Sequence, residues 1–541
     1  MKIHTVSSLI KIRTICDISV ELPQKQILLG GEEFSYQIAV ESDADFPVVK
    51  AEINSPLKDF AEIYNVKSAA MDMPEYKNNP DTDYLTHESG LMPDILYPIS
   101  ERKNNLEFVN GLSVLWIRVK IPRDYKSGTY KLTVKLYEGE QSAEAAMEFE
   151  VLDINMPKQS TRFTQWFYAD CIAAAHNTEI YSEKHWELID KYMAAAADVG
   201  VNTILTPVIT PPLDTKIGMR RPNVQLVKIL KNGDKYEFDF SLLERWLNLC
   251  DKHEIEYYEI SHLFSQWGLV YSPNISAIEN GEEKYIFGWD VKANDIRYKS
   301  FLEQFLPKLV EFFESKGKLN KCLFHLSDEP TAEHLENYKY AYDIVKPLIK
   351  DCEIMDAISD VDFYKKGYMT IPVTASNHIE PFLREKIEKQ CVYYCCAQDK
   401  YVGNRFMAMP SYRNRILGLQ MYKYSIMGFL HWGFNFYYRQ LSMYKINPYV
   451  TTSAGGAFPS GDSFSVYPGD DKPILSLRAV IFKEALQEVD LCKLLERYIG
   501  RDEVIKLIER DMNITFSDYP RNYDFLPDTN RKLKEILKSV M

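Results

Sequence analysis

From Arg162 onward the chain alternates strand-like and helix-like segments, and no other feature constrains its fold as much. The strand segments are TRFTQWFYAD, VNTILTP, IEYYEIS, KCLFHLS, CEIMDA, YMTIPVT, VYYCCA and GFLHWGF. The segments between them have helical spacing. In the first, Trp186, Ile189, Met193, Ala196 and Val199 recur on one face. Helices between strands force the strands to run parallel, and eight such units close into a (β/α)8 barrel. A doubly wound open sheet would need a Gly-rich loop after its first strand, and WFYADCIAAAH has none. Long segments follow strand two (Thr210 to Phe238), strand three (Ser265 to Asn294) and strand eight (Phe434 to Pro473). All lie on the carboxyl-terminal side, where this fold carries its site.

Residues 1–155 have a different pattern. Tyr130, Leu132, Val134 and Leu136 alternate with polar residues, and Met147, Phe149 and Val151 alternate with glutamates. Strands without intervening helices predict an antiparallel sandwich that buttresses the barrel. Met156 to Ser160 is the expected linker. The expected organisation is thus an all-β sandwich over 1–155, the α/β barrel over 160–500 and a helical C-terminal extension over 501–541, packed on the barrel.

A net charge of −13 with no basic stripe excludes nucleic acid as a partner and disfavours strongly anionic substrates. Nine cysteines without disulfide or zinc-ribbon spacing favour a reducing compartment. The first twenty residues lack a continuous apolar core, and no stretch is long enough to insert in a membrane. As given, the sequence is expected to be cytoplasmic, or secreted only if a leader was removed.

Strand four runs directly into Ser327, Asp328, Glu329 and Pro330. Consecutive side chains on a strand point to opposite faces, so two adjacent carboxylates serve one ligand only where the strand breaks, as it does at Pro330. Hydrolysis of a glycoside needs a proton donor for the leaving oxygen and a second group that stabilises the oxocarbenium-like transition state. Two carboxyls in one cleft can divide those tasks, because burial and mutual repulsion separate their pKa values. Ser-Asp-Glu-Pro-Thr is also a good helix start, and capping is the competing reading. Strand seven, VYYCCA, offers no glutamate as nucleophile, and Asp399 lies a few residues beyond it. A mechanism in which a 2-acetamido group of the substrate supplies the nucleophile fits these residues better, with Asp328 orienting the amide and Glu329 acting as acid and then base.

With HLSDEP (325–330), SHLFSQWG (261–268), NHIEPF (377–382), NRFMAMPSYRNRILGLQMYKY (404–424), GFLHWGFNFYY (428–438) and FPSGDSFSVYPG (458–469), the chain resembles glycoside hydrolase family 123 over both domains. The resemblance implies a sandwich followed by a barrel, with the family's Asp-Glu pair at Asp328 and Glu329. It also implies exo-hydrolysis of terminal β-linked N-acetylgalactosamine from a glycan or glycolipid, with retention, through an oxazoline.

Position alone selects the remaining substrate-binding candidates. Trp432 ends strand eight as the expected floor of the sugar site, with Asn435 and Tyr437 just beyond it. Gln266 and Trp267 end strand three, and His325 lies within strand four. Asn377 and His378 follow strand six, Tyr394 stands in strand seven and Arg405 follows it. Core packing competes with binding at each. Ten scattered histidines and no calcium loop imply neither metal nor cofactor. Two rival readings remain open: a β-glycosidase of non-acetylated sugars with a protein nucleophile such as Asp399, and a catalytically silent sugar-binding barrel.

Overall fold

The computed structural model describes residues 1–18, 22–45 and 47–541. Nine strands make the N-terminal sandwich: β1 (Lys2–Ser7), β2 (Lys25–Gly30), β3 (Glu33–Glu41), β4 (Lys50–Asn54), β5 (Ala61–Met71), β6 (Gly90–Pro98), β7 (Leu112–Lys120), β8 (Gly128–Glu138) and β9 (Gln141–Asn155). They form one sheet in the order β1-β3-β7-β5-β6 and another in the order β2-β9-β8-β4. The period-two pattern explains the pairing. Leu132 and Val134 of β8 stand opposite Met147 and Ala145 of β9, all buried between the sheets. Lys135 pairs with Glu144 on the outer face. One pair departs from the antiparallel expectation, since β2 runs parallel to β9.

The second part contains β10 (Arg162–Gln165), β11 (Thr203–Thr206), a hairpin of β12 (Lys228–Asn232) and β13 (Lys235–Asp239), and β14 (Tyr257–Ile260). A further hairpin of β15 (Ile275–Glu279) and β16 (Glu282–Phe287) follows, then β17 (Cys322–Phe324), β18 (Glu353–Ile358), β19 (Ile371–Ala375), β20 (Cys391–Tyr393) and β21 (Gly428–His431). Strands β10, β11, β14 and β17 to β21 close a barrel, and β10 completes it by pairing in parallel with β21 from Arg162↔Gly428 to Gln165↔His431. These are the eight segments expected from the sequence.

The helices are α1 (Ala169–Ala175), α2 (Glu183–Asp198), α3 (Ser241–Lys252), α4 (Ile296–Ser315), α5 (Leu335–Val345), α6 (Asp362–Lys365), α7 (Glu380–Arg384), α8 (Tyr412–Arg415), α9 (Leu417–Lys423), α10 (Leu477–Ile499), α11 (Arg501–Ile508) and α12 (Phe525–Val540). Helix α7, between strands six and seven of the barrel, stops at Arg384, and Lys386 takes a left-handed φ of +51°. Helix α10 is the eighth barrel helix. Gly500, at φ +83°, ends it, and α11 and α12 continue the C-terminal extension.

The two hairpins were not expected. They join through β12 and β15 into a four-stranded sheet, order β13-β12-β15-β16, built from the long segments after strands two and three. Phe238 and Phe287 from this sheet pack against Phe301 of α4. The sheet thereby anchors two of the three long loops on the carboxyl-terminal face.

Candidate active site

The chain leaving β17 is laced to the chain leaving β14. Leu263 N–H donates to the His325 carbonyl (3.1 Å), Phe264 N–H to Leu326 (3.0 Å) and Trp267 N–H to Asp328 (3.2 Å), while Ser327 Oγ donates to the Ser265 carbonyl (3.0 Å). Glu329 then takes φ +45°, a left-handed conformation that costs a non-glycine residue about 1–2 kcal/mol. That turn brings both carboxylates to one cleft. Neither caps a helix: the first helical turn beyond them starts from Thr331, whose N–H is met by the His334 ring (3.1 Å).

The cleft, with the space open to solvent at its mouth, has an empty volume of about 620 Å³. Asp328 is buried and accepts a hydrogen bond from Gln266 Nε2 at 2.6 Å. Burial and the adjacent Glu329 carboxylate hold its pKa well above the usual carboxylate range, against the opposing Gln266 bond. Glu329 is half-buried and accepts the Tyr393 hydroxyl at 2.5 Å. Burial, with the Glu329 charge beside it, pushes the Tyr393 phenol far up, so it stays a donor.

Of the residues selected by position, Gln266, Trp267 and Trp432 line the cleft with the acidic pair. Trp432 donates Nε1–H to Asp462 (2.8 Å) and meets Phe436 and Phe458 edge-on. Trp267 is 47% exposed at the mouth. Seven others do not line it. Asn435 is buried and holds the backbone of Tyr168 through both its amide atoms (2.8 and 3.0 Å). The Tyr437 hydroxyl is spent on the Val466 carbonyl. Tyr394 points away because side chains alternate along β20: its neighbour Tyr393 faces the pair, while Tyr394 packs on Phe429 and bonds Asn414. Arg405 is buried and binds His431 together with the Gly433 and Asp462 carbonyls, which shapes the end of β21. Asn377 is exposed and accepts from Gln398, and His378 is exposed. Asp399 also stands outside the lining; its carbonyl accepts from Tyr84 and Asn79.

His325 is the seventh, and it sits inside the barrel. Its Nδ1 donates to Asp356 (3.2 Å), and Glu259 lies 3.8 Å from Nε2. Burial opposes its charge, but these carboxylates outweigh that and push its pKa up to about 9. His262, His325 and Asp356 have ligand-type atoms within 4.8 Å of one another. The two imidazoles are stacked, 4.4 Å apart and 15° from parallel, so their in-plane lone pairs run side by side instead of converging. The cluster reads as an internal ion pair beneath the turn at Glu329.

Residues that the sequence reasoning passed over complete the walls: Trp166 and Tyr168 after β10, Asp214 after β11, and Tyr393, Cys395 and Cys396 at the end of β20. The positions directly after β10 and β20 were findable from the barrel rule. Asp214 gave no local signal.

The description "Glycoside hydrolase 123, catalytic domain" matches residues 166–495. No curated protein matches the chain. Among solved structures, the chain is similar to a family 123 glycoside hydrolase from Clostridium perfringens described for glycolipid glycan hydrolysis. The two share 16% identity over all of this chain and 98% of that one, with a TM-score of 0.73. A β-glucuronidase from Parabacteroides merdae shares 11% identity over 89% of this chain and 53% of that one, with a TM-score of 0.33.

Proposed function

The chain belongs to glycoside hydrolase family 123, and from that premise we propose that it is an exo-acting, retaining β-N-acetylhexosaminidase of the β-N-acetylgalactosaminidase kind. Its substrate is a glycan or glycolipid with a terminal β-linked amino sugar. The observation that carries the reading is the left-handed turn at Glu329, which gives one cleft two carboxylates from consecutive residues. Acid and nucleophile of a double displacement sit on opposite sides of the glycosidic bond. Two groups from one turn work from the same side, so the nucleophile comes from elsewhere.

In the substrate-assisted course, Glu329 gives its proton to the glycosidic oxygen as the bond from C1 to that oxygen breaks. The acetamido oxygen forms a new bond to C1, and Asp328 accepts the hydrogen bond of the amide N–H. Glu329, now a base, takes a proton from water, whose oxygen attacks C1 and releases the acetamido oxygen. Two inversions give net retention. Tyr393 orients Glu329, and Gln266 orients Asp328.

The alternative is a protein nucleophile, and the observation that favours it is Asp214, a third carboxylate in the cleft. Hydrolysis of nitrophenyl β-glycosides of N-acetylgalactosamine, N-acetylglucosamine, galactose and glucose separates the two. Cleavage confined to the acetamido sugars is expected, with Glu329→Gln lowering turnover of poor leaving groups by roughly 10²–10⁴-fold and Asp328→Asn slowing oxazoline formation. Cleavage of galactose or glucose requires a protein nucleophile and overturns the proposal.

A further inference from the structure

Asp214 is buried in the loop after β11 at φ +39°, an uncommon conformation for a non-glycine residue. Both neighbouring loops hold it there. Its N–H donates to Gln266 Oε1 (2.6 Å), its carbonyl accepts from Ser442 Oγ (2.7 Å), and its Oδ2 accepts from Leu441 N–H (2.9 Å). Leu441 and Ser442 are themselves left-handed, at φ +60° and +53°. Three left-handed residues therefore meet here, Leu441 donating to the Asp214 carboxylate and Ser442 to its carbonyl, and such strain persists where the surroundings enforce it.

The carboxylate lacks a counter-ion. Among the described residues, Arg221 is the cation whose charge acts on it, and Arg221 is committed to Asp170 by two bonds of 2.9 and 2.6 Å. No described residue donates to Asp214 Oδ1. Beside it in the lining stand Tyr168 and Trp166, whose hydroxyl and Nε1–H are buried without a partner. Asp214 thus has a carboxylate oxygen that no described residue satisfies, in a cleft wall whose two neighbouring donors are buried without partners, and unpaired buried donors call for a ligand or water that pairs them. The complement of a carboxylate is a donor, and on an acetamido sugar whose amide N–H is taken by Asp328 the remaining donors are hydroxyls.

We propose that Asp214 is a specificity residue whose free oxygen accepts hydrogen bonds from hydroxyls of the terminal sugar, so that a sugar with those hydroxyls removed or esterified by sulfate is rejected. Gln266 bridges Asp214 N–H to Asp328 Oδ2 and thereby sets the distance between hydroxyl recognition and the acetamido end. The inference rests on the sugar-binding role proposed above for this cleft, but not on the acetamido mechanism.

The test is a cycle between protein and substrate. Wild type and Asp214→Asn, which keeps the acceptor for Leu441, are compared on a nitrophenyl N-acetyl-β-galactosaminide, its 3-, 4- and 6-deoxy analogues and its 6-sulfate. In the wild type, at least one deoxy analogue should lose roughly 10–100-fold in kcat/KM, and the sulfate more. In Asp214→Asn the parent should lose that factor while the same deoxy analogue loses little further. Each ratio is taken within one protein, so any loss of folded fraction cancels. Equal discrimination in both proteins overturns the proposal, as does restoration of Asp214→Asn by azide, which marks a nucleophile. If only galactosides or glucosides are cleaved, the acetamido mechanism fails and the same cycle on their deoxy analogues decides Asp214. If nothing is cleaved, calorimetry with the free sugars replaces kinetics, and absence of binding overturns both.

Discussion

Replacing Gln266 by leucine tests the electrostatics of the acidic pair directly. Leucine has similar bulk but removes the amide that donates to Asp328 Oδ2 at 2.6 Å. Hydrogen bonds to a charged acceptor contribute about 1.5–3 kcal/mol, and one pKa unit corresponds to about 1.4 kcal/mol, so the Asp328 pKa should rise by about one to two units. Burial and Glu329 already hold it high, and Gln266 acts in the lowering direction. The sign follows. In the proposed mechanism Asp328 accepts the substrate N–H as an anion, so activity is lost as pH falls through its pKa, and a higher pKa moves that loss to higher pH. The acid limb of kcat/KM, which reports the free enzyme, should therefore shift upward by about one to two units. The limb of kcat should lie lower, because bound substrate replaces the missing donor. Gln266→Glu keeps an oxygen for Asp214 N–H but sets a second carboxyl against Asp328, and should shift the limb further in the same direction. An acid limb that stays in place while the rate falls evenly at every pH would refute the reasoning, for Gln266 would then only shape the cleft.

Two further predictions concern stability. Arg478 is buried and bound by Asp94 through two bonds of 2.7 and 2.9 Å; Asp94→Asn leaves that charge uncompensated and should cost about 3–5 kcal/mol, read as an earlier urea midpoint. A β-carbon on Gly418 would lie 2.2 Å from the Ala485 carbonyl oxygen, so Gly418→Ala should force α9 from α10 and lower the thermal midpoint, at a cost of about 1–3 kcal/mol.

The barrel was legible because strands buried on both faces read as short apolar runs, and the helices between them keep a 3.6-residue period. The extra sheet left a signal that went unread. Asn280 and Gly281, both at positive φ, join β15 to β16 in the two-residue turn that Asn-Gly favours. The other hairpin left a similar signal, since Tyr236 and Phe238 alternate with charged residues in KYEFD and Gly233, at positive φ, follows Asn232 at its turn. In the site, Asp328 and Glu329 followed from their place after strand four. The choice of Tyr394 over Tyr393 turned on the register of a three-residue strand, which neither composition nor spacing fixes. Asp214 could not be found at all, because its surroundings come from loops after strands two, three and eight that meet only when the barrel closes.

Those same loops explain why the sandwich matters to the cleft. Asp94 of β6 grips Arg478, and Arg478 donates to the carbonyls of Gly461 and Phe464 on either side of Asp462, the partner of Trp432. Lys11 donates to the carbonyls of Met407 and Met409 (both 2.8 Å), and burial lowers its pKa to about 7, so it serves as a donor in a dry pocket. Asp72 takes the hydroxyls of Thr451, Thr452 and Ser453. The long segment after strand eight therefore owes much of its order to side chains from the N-terminal domain. The apolar core is equally shared, since Met92, Ile95, Leu96 and Trp116 of the sandwich belong to the same buried cluster as Phe163 and Leu430 of the barrel. A division near residue 155 separates two topologies that share one buried apolar cluster. The wall formed by Trp432 and Phe458 is held in part from the sandwich, so loosening the Asp94–Arg478 contact is expected to act on the cleft through Asp462.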